Sequence, residues 1–103
     1  MKFDVKLTEN ALEDLKNLEK VDRNKVLKSY DIIMNVDINA VNTKPITSKI
    51  YEIKTDRVRS LYAYSENKII IVGVVFIKKT QKTPKSMITK AENVLKEFIE
   101  WKN

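Results

Sequence analysis

Neither cysteine nor histidine occurs in the 103 residues. The first absence removes disulfides, thiolate metal sites and cysteine nucleophiles. The second removes the usual general base near neutral pH and the commonest metal ligand. Chemistry is left to Lys, Arg, Asp, Glu, Tyr, Ser and Thr. Glycine is nearly absent too. Gly73 stands alone, inside the most apolar stretch, where a single glycine marks a bulge or a close backbone approach. That stretch, Ile69 to Ile77, is too short to span a bilayer as a helix. Met1-Lys2-Phe3-Asp4 lacks the apolar core of a signal peptide, so the expectation is a soluble, cytoplasmic protein. Repeats and low-complexity segments are also missing. The length suits one domain over residues 1–103, which buries roughly 65% of its unfolded surface without staples.

Charge is abundant and unevenly placed. Of the net +6, Met1–Thr43 holds 7 basic and 8 acidic residues, Lys44–Lys90 holds 11 and 3, and Ala91–Asn103 holds 2 and 3. A basic excess confined to the middle of the chain is the footprint expected of a polyanion-binding surface. Acidic proteins bind such surfaces as well. Within it lies Phe76-Ile77-Lys78-Lys79-Thr80-Gln81-Lys82-Thr83-Pro84, three lysines, two hydroxyls and an amide without an acid. It runs from a strand end to a helix start, a common place to mount a polar site on a rigid support.

Periodicity supplies the elements. Lys2–Leu7 alternates as a half-buried strand. Thr8 is placed to cap a helix carrying Ala11, Leu12, Leu15 and Leu18 inward, with Glu9 in its first turn. Asp22 is placed to cap a second, with Val26, Leu27, Tyr30, Ile33 and Met34 inward, and the short break between them predicts a helical hairpin. Asn35–Lys49 has weak periodicity and Pro45, and reads as a connection. Strands follow at Ile50–Lys54, Arg57–Tyr64 and Lys68–Ile77; the last is apolar on both faces and therefore central. After Pro84 the stripe Met87, Ile88, Ala91, Val94, Leu95, Phe98 and Trp101 predicts a helix. The order β-α-α-β-β-β-α predicts an α+β fold: a helical hairpin on one face of a mainly antiparallel four-stranded sheet, with a C-terminal helix.

Two-residue turns at Thr55-Asp56 and Glu66-Asn67 would place Lys54 opposite Arg57, Glu52 opposite Arg59, and Arg59 opposite Val74. Directly opposed residues share a face. Glu52, Lys54, Arg57, Arg59, Leu61, Val72, Val74, Phe76 and Lys78 then lie on one side, and Tyr51, Ile53, Val58, Tyr62 and Tyr64 on the other, facing the helical hairpin. The outcome is a basic cleft in which guanidinium groups suit bidentate phosphate contact, lysines act as point charges and Phe76 offers a stacking ring. A structural account fits the same residues: Glu52 pairing with Arg59, and edge lysines blocking aggregation.

Tyr51-Glu52-Ile53-Lys54, Arg57-Val58-Arg59-Ser60-Leu61-Tyr62 and, above all, Phe76 to Pro84 make the chain resemble RelE/ParE-superfamily type II toxins, in the phage-derived HigB-like branch. The resemblance covers nearly the whole chain. It implies the toxin of a toxin–antitoxin pair that cleaves mRNA, usually on the ribosome, without a metal or other cofactor. ParE-like relatives share the fold and inhibit DNA gyrase. Lys54 matches a lysine of the RelE-type site, Arg59 its arginine, and Lys79 the basic residue after the last strand. Glu52 stands where RelE itself has another lysine, and no tyrosine follows Pro84. The partners implied are mRNA, the ribosome and a cognate antitoxin, expected to be of helix-turn-helix type, through which the chain would oligomerise.

The expected chemistry is attack of a ribose 2′-OH on the adjacent phosphate. It needs a base, an acid and positive charge for the phosphorane-like transition state. Lys54, among like-charged neighbours that disfavour a protonated amine, and Glu52 compete for the base. Arg59 and Lys79 would stabilise the phosphate. Arg57, Phe76, Lys78, Thr80, Gln81 and Lys82 would hold the RNA. A non-enzymatic gyrase inhibitor and a non-toxic basic RNA- or protein-binding module are the alternatives.

Overall fold

The structure, a computed structural model, describes residues 1–101. Strand β1 (Asp4–Leu7) leads into helices α1 (Glu9–Lys16) and α2 (Lys20–Asn35), then a single 3-10 turn at Ile38–Ala40. Strands β2 (Asn42–Pro45), β3 (Tyr51–Thr55), β4 (Val58–Ser65) and β5 (Ile69–Ile77) follow, and helix α3 (Lys85–Leu95) comes last. The sheet order is β1-β5-β4-β3-β2. β1 runs parallel to β5, and the other neighbours are antiparallel.

The α+β class holds, but among the described residues the sheet has five strands rather than four, so the order is β-α-α-β-β-β-β-α. The extra strand, β2, lies where a connection was expected. It is a mostly exposed edge strand with no apolar alternation, and Pro45 sits at its end, where the sheet tolerates a proline. Helices cover both faces. α1 and α2 bury Ala11, Leu15, Val26, Tyr30 and Ile33 against Ile53, Val58, Tyr62, Ile70, Val72 and Val75. α3 buries Ala91 and Leu95 against Ile50, Leu61, Ala63, Ile71 and Val74.

Thr8 caps α1 as expected, accepting from the Ala11 N–H at 3.0 Å. Asp22 does not cap α2, which starts two residues earlier behind Glu19. Its carboxylate is engaged by Arg57 instead, at 2.7 Å from Nη2. The final helix stops at Leu95, short of the predicted stripe. The Phe98 and Ile99 N–H groups both return to the Leu95 carbonyl. Ile99 and Trp101 still pack on the α3-side core, which explains why the apolar pattern outlasts the helix, while Phe98 is 55% exposed.

Both hairpins turn differently from the expectation. The first turn is Asp56-Arg57, not Thr55-Asp56, because the left-handed φ of 53° falls to an Asp and not to a β-branched Thr. The pairing moves by two residues, which preserves every side-chain face. Lys54 now opposes Arg59, and Glu52 opposes Leu61. The second turn takes in Glu66, Asn67 and Lys68, with Asn67 and Lys68 left-handed. A bulge at Gly73 then brings the register back, pairing Arg59 with Phe76 and Leu61 with Val74. Beyond the bulge the faces swap, so Val72 lies against α1 and α2 rather than on the cleft side.

Gly73 meets the expectation of a bulge, and the close approach to it is made by a side chain rather than by another backbone. This glycine is the extra residue of the bulge, and a Cβ on it would come within 2.9 Å of Leu95 Cγ. The backbone groups of β5 past the end of β1 are taken up by α1 and its cap. Thr8 Oγ1 and Asn10 Nδ2 donate to the Gly73 carbonyl at 3.0 and 3.1 Å, and the Val75 N–H donates to Asp14 Oδ2 at 2.9 Å. A ladder edge that would otherwise lie open is thereby closed.

Candidate nucleic-acid interface

On the α3 side of the sheet, past the N-terminal end of that helix, β2, β3 and β4 form a cleft of about 220 Å³. It is lined by Asn42, Thr43, Lys44, Glu52, Lys54, Arg59 and Lys78. Strand alternation explains the cast: Asn42 opposes Lys54, Lys44 opposes Glu52, and Lys54 opposes Arg59, so the long polar side chains stack on one face. Four cations face a single carboxylate, a balance that suits an anionic ligand.

Arg59 is the buried centre, with 10% of its side chain exposed. Its Nη1 donates to the Asp56 carbonyl at 2.6 Å and to the Val58 carbonyl at 3.1 Å. The Asp56-Arg57 turn therefore orients the guanidinium through backbone acceptors. Its Nε, also buried, has no hydrogen-bond partner among the described residues; the acid beside it, Glu52 Oε2, stands 3.8 Å away. A buried donor without an acceptor is costly. Here the cost falls on an enclosed atom, while Arg59 as a whole lines the cleft.

Glu52 is 2% exposed. Its Oε2 lies 3.8 Å from Lys44 Nζ and from Arg59 Nε, and its Oε1 accepts from the Thr83 hydroxyl at 2.7 Å. Lys54 is exposed at the cleft, and the Lys78 N–H is fixed to the Arg57 carbonyl at 2.8 Å.

Comparison with known proteins places this arrangement. The family model described as Phage derived protein Gp49-like (DUF891) matches residues 13–96. The chain belongs to the Gp49-like family. Its fold is RelE-like. The Gp49-like chain is similar to a chain of the archaeal RelE-RelB complex from Pyrococcus horikoshii OT3, with TM-score 0.60 and 19% identity over 77% of this chain and 98% of that one. It is similar to a chain of the RelBE2 toxin–antitoxin complex of Mycobacterium tuberculosis, with TM-score 0.63 and 18% identity over 76% and 100%. Against a free-state mutant of the E. coli toxin RelE the values are 0.61 and 17% over 96% and 100%. No curated protein matches the Gp49-like chain by sequence.

Of the residues singled out from sequence, the fold brings Glu52, Lys54, Arg59 and Lys78 together around the cleft. Phe76 opposes Arg59, yet its half-buried ring packs with the α3-side core. Arg57 leaves the group. It occupies the turn and grips Asp22 of α2 through Nη2 at 2.7 Å and Nε at 3.2 Å. Those bonds hold the Asp22 carboxyl below its ordinary range and raise the Arg57 guanidinium. Lys79, Thr80, Gln81 and Lys82 lie exposed on the loop after β5, and the Thr80 hydroxyl donates to the Lys82 carbonyl at 2.6 Å.

Sequence reasoning missed Asn42, Thr43 and Lys44, and it had Thr83 only as part of the polar segment before the last helix, without its bond to Glu52. The first three belong to the unrecognised β2. The rise in basic charge that begins at Lys44 was the available signal. For the bond from Thr83 to a carboxylate 31 residues away, there was none.

Proposed function

We propose that this Gp49-like chain is the toxin of a type II toxin–antitoxin system. In this reading it is a cytoplasmic, metal-independent endoribonuclease that cleaves mRNA on the ribosome and so inhibits translation. The observation that carries the reading is Arg59. Its guanidinium is held by two backbone carbonyls and lines a cleft rich in cations. A scissile phosphate in the cleft would meet this fixed guanidinium, which supplies charge to a phosphorane-like transition state. Lys54, exposed at the same cleft and opposite Arg59, is the group placed to exchange the proton of the 2′-OH. Lys78 and Lys44 flank the path of the backbone, with Lys79 and Lys82 on the adjoining loop. The solved relatives bearing RelB partners support a cognate antitoxin here. The expectation that it carries a helix-turn-helix rests on the resemblance alone.

The test is expression with and without the neighbouring gene, with mRNA 5′ ends mapped. New ends and growth arrest are expected, and Arg59→Ala should lower cleavage by about a hundredfold or more. An Arg59→Ala variant as toxic as the parent would remove the assignment. Arrest with intact mRNA and an induced DNA-damage response would turn the reading toward gyrase.

A further inference from the structure

We propose that Glu52 and Thr83 form a clasp that holds the Lys79–Thr83 segment against the cleft, with Glu52 acting as a positioning residue rather than as the base. Three elements converge on this one carboxylate: Lys44 from β2, Arg59 from β4, and Thr83 from the segment that enters α3. Both oxygens face protein cations or donors, and the side chain is 2% exposed. A general base must reach the proton it removes, directly or through one water. Glu52 is enclosed by groups that already use it. A buried carboxylate is retained where flanking cations and a hydrogen bond offset its desolvation, and that is its setting here.

Thr83 is the informative partner. Among the described residues, the Thr83 hydroxyl is the one side chain of the 79–83 stretch that bonds to the sheet; the Thr80 hydroxyl bonds within the loop itself. The next residue, Pro84, is the N-cap of α3, and α3 is seated over Gly73 through Leu95. One hydroxyl–carboxylate bond of 2.7 Å thus sets where Lys79 and Lys82 stand relative to Arg59, and it joins the cleft floor to the start of the last helix.

The test uses Thr83→Val, Thr83→Ser and Glu52→Gln in the full chain. Two quantities are read: backbone amide order parameters over residues 79–83 without ligand, and affinity for a 2′-O-methyl RNA oligonucleotide, which binds but cannot be cleaved. Only the second rests on the reading of the cleft as an RNA site. Thr83→Val should lower the order parameters in that segment and weaken oligonucleotide binding about tenfold, as loss of a hydrogen bond to a charged group does. Thr83→Ser should restore both. Glu52→Gln, which keeps an acceptor, should keep the loop ordered. Unchanged order parameters and affinity in Thr83→Val, with cleavage abolished by Glu52→Gln alone, would overturn the clasp. A parent chain that binds no oligonucleotide would overturn the RNA reading, while the order parameters would still decide the clasp.

Discussion

Arg57 and Arg59 stand two positions apart, and alternation alone puts them on one face. Their fates are decided by Asp56, whose left-handed backbone moves the turn by one residue. Arg57 becomes a turn residue and binds Asp22, while Arg59 stays in the strand and enters the cleft. Sequence alternation revealed the face; it could not reveal which arginine the turn would take. The Asp22–Arg57 pair gives a pH prediction. Hydrogen bonds from Arg57 lower the Asp22 carboxyl in the folded chain. Its contribution is therefore complete above the unfolded value of about 3.9 and is lost as pH falls through the lower folded value. Asp22→Asn should melt below the parent at neutral pH, and the gap should close in acid, as measured by thermal melts across that range. A second residue-scale test concerns Tyr30. Its buried hydroxyl meets the Ser60 hydroxyl at 2.7 Å, with both residues almost fully enclosed. Tyr30→Phe leaves Ser60 unpaired and should cost about 1–3 kcal/mol in urea titrations. Adding Ser60→Ala should recover part of that.

Among the elements, those with one clean apolar period were legible. α1, α2 and β5 fell within a few residues of expectation because burial imposes its period on the side chains. β2 was illegible because nothing on it needs burying: it is held by backbone pairing to β3, and backbone bonds leave no mark on composition. The end of α3 was hidden because Ile99 and Trp101 serve the same core after the helix has stopped. Gly73 was legible as a peculiarity, though not the helix that requires it. A methyl there would meet Leu95 Cγ at 2.9 Å. Gly73→Ala should destabilise the chain by about 1–3 kcal/mol through overpacking, and Leu95→Ala by about 2–5 kcal/mol through a cavity. The double variant should cost clearly less than the sum, since each change relieves the other. Equilibrium unfolding of the three proteins measures the coupling.

Over the whole molecule, the uneven charge was readable by counting, and the cleft that collects it was readable only with a register. The parallel pairing of β1 with β5 was not readable at all. No local signal ties Asp4–Leu7 to Ile69–Val72, and only the covered faces of the finished sheet select that edge. If the basic surface binds RNA through about four to six phosphate contacts, affinity should fall with log salt at a slope of roughly −3 to −4. Anisotropy titrations between low and moderate salt would show it; a flat profile would point to a ligand other than a polyanion.

The junction of α1 with β5 carries one more consequence, for synthesis. Thr8 and Gly73, 65 residues apart, are joined by a hydrogen bond. While the ribosome extends the chain at roughly 5–20 residues per second, the first strand and helix emerge several seconds before the strand they need. The N-terminal segment must wait with its apolar side uncovered, and the long-range closure should set the folding rate. The β2–β4 hairpins that carry most of the cleft pair locally and need no such delay. The nascent chain would thus acquire its cationic surface before the fold is sealed.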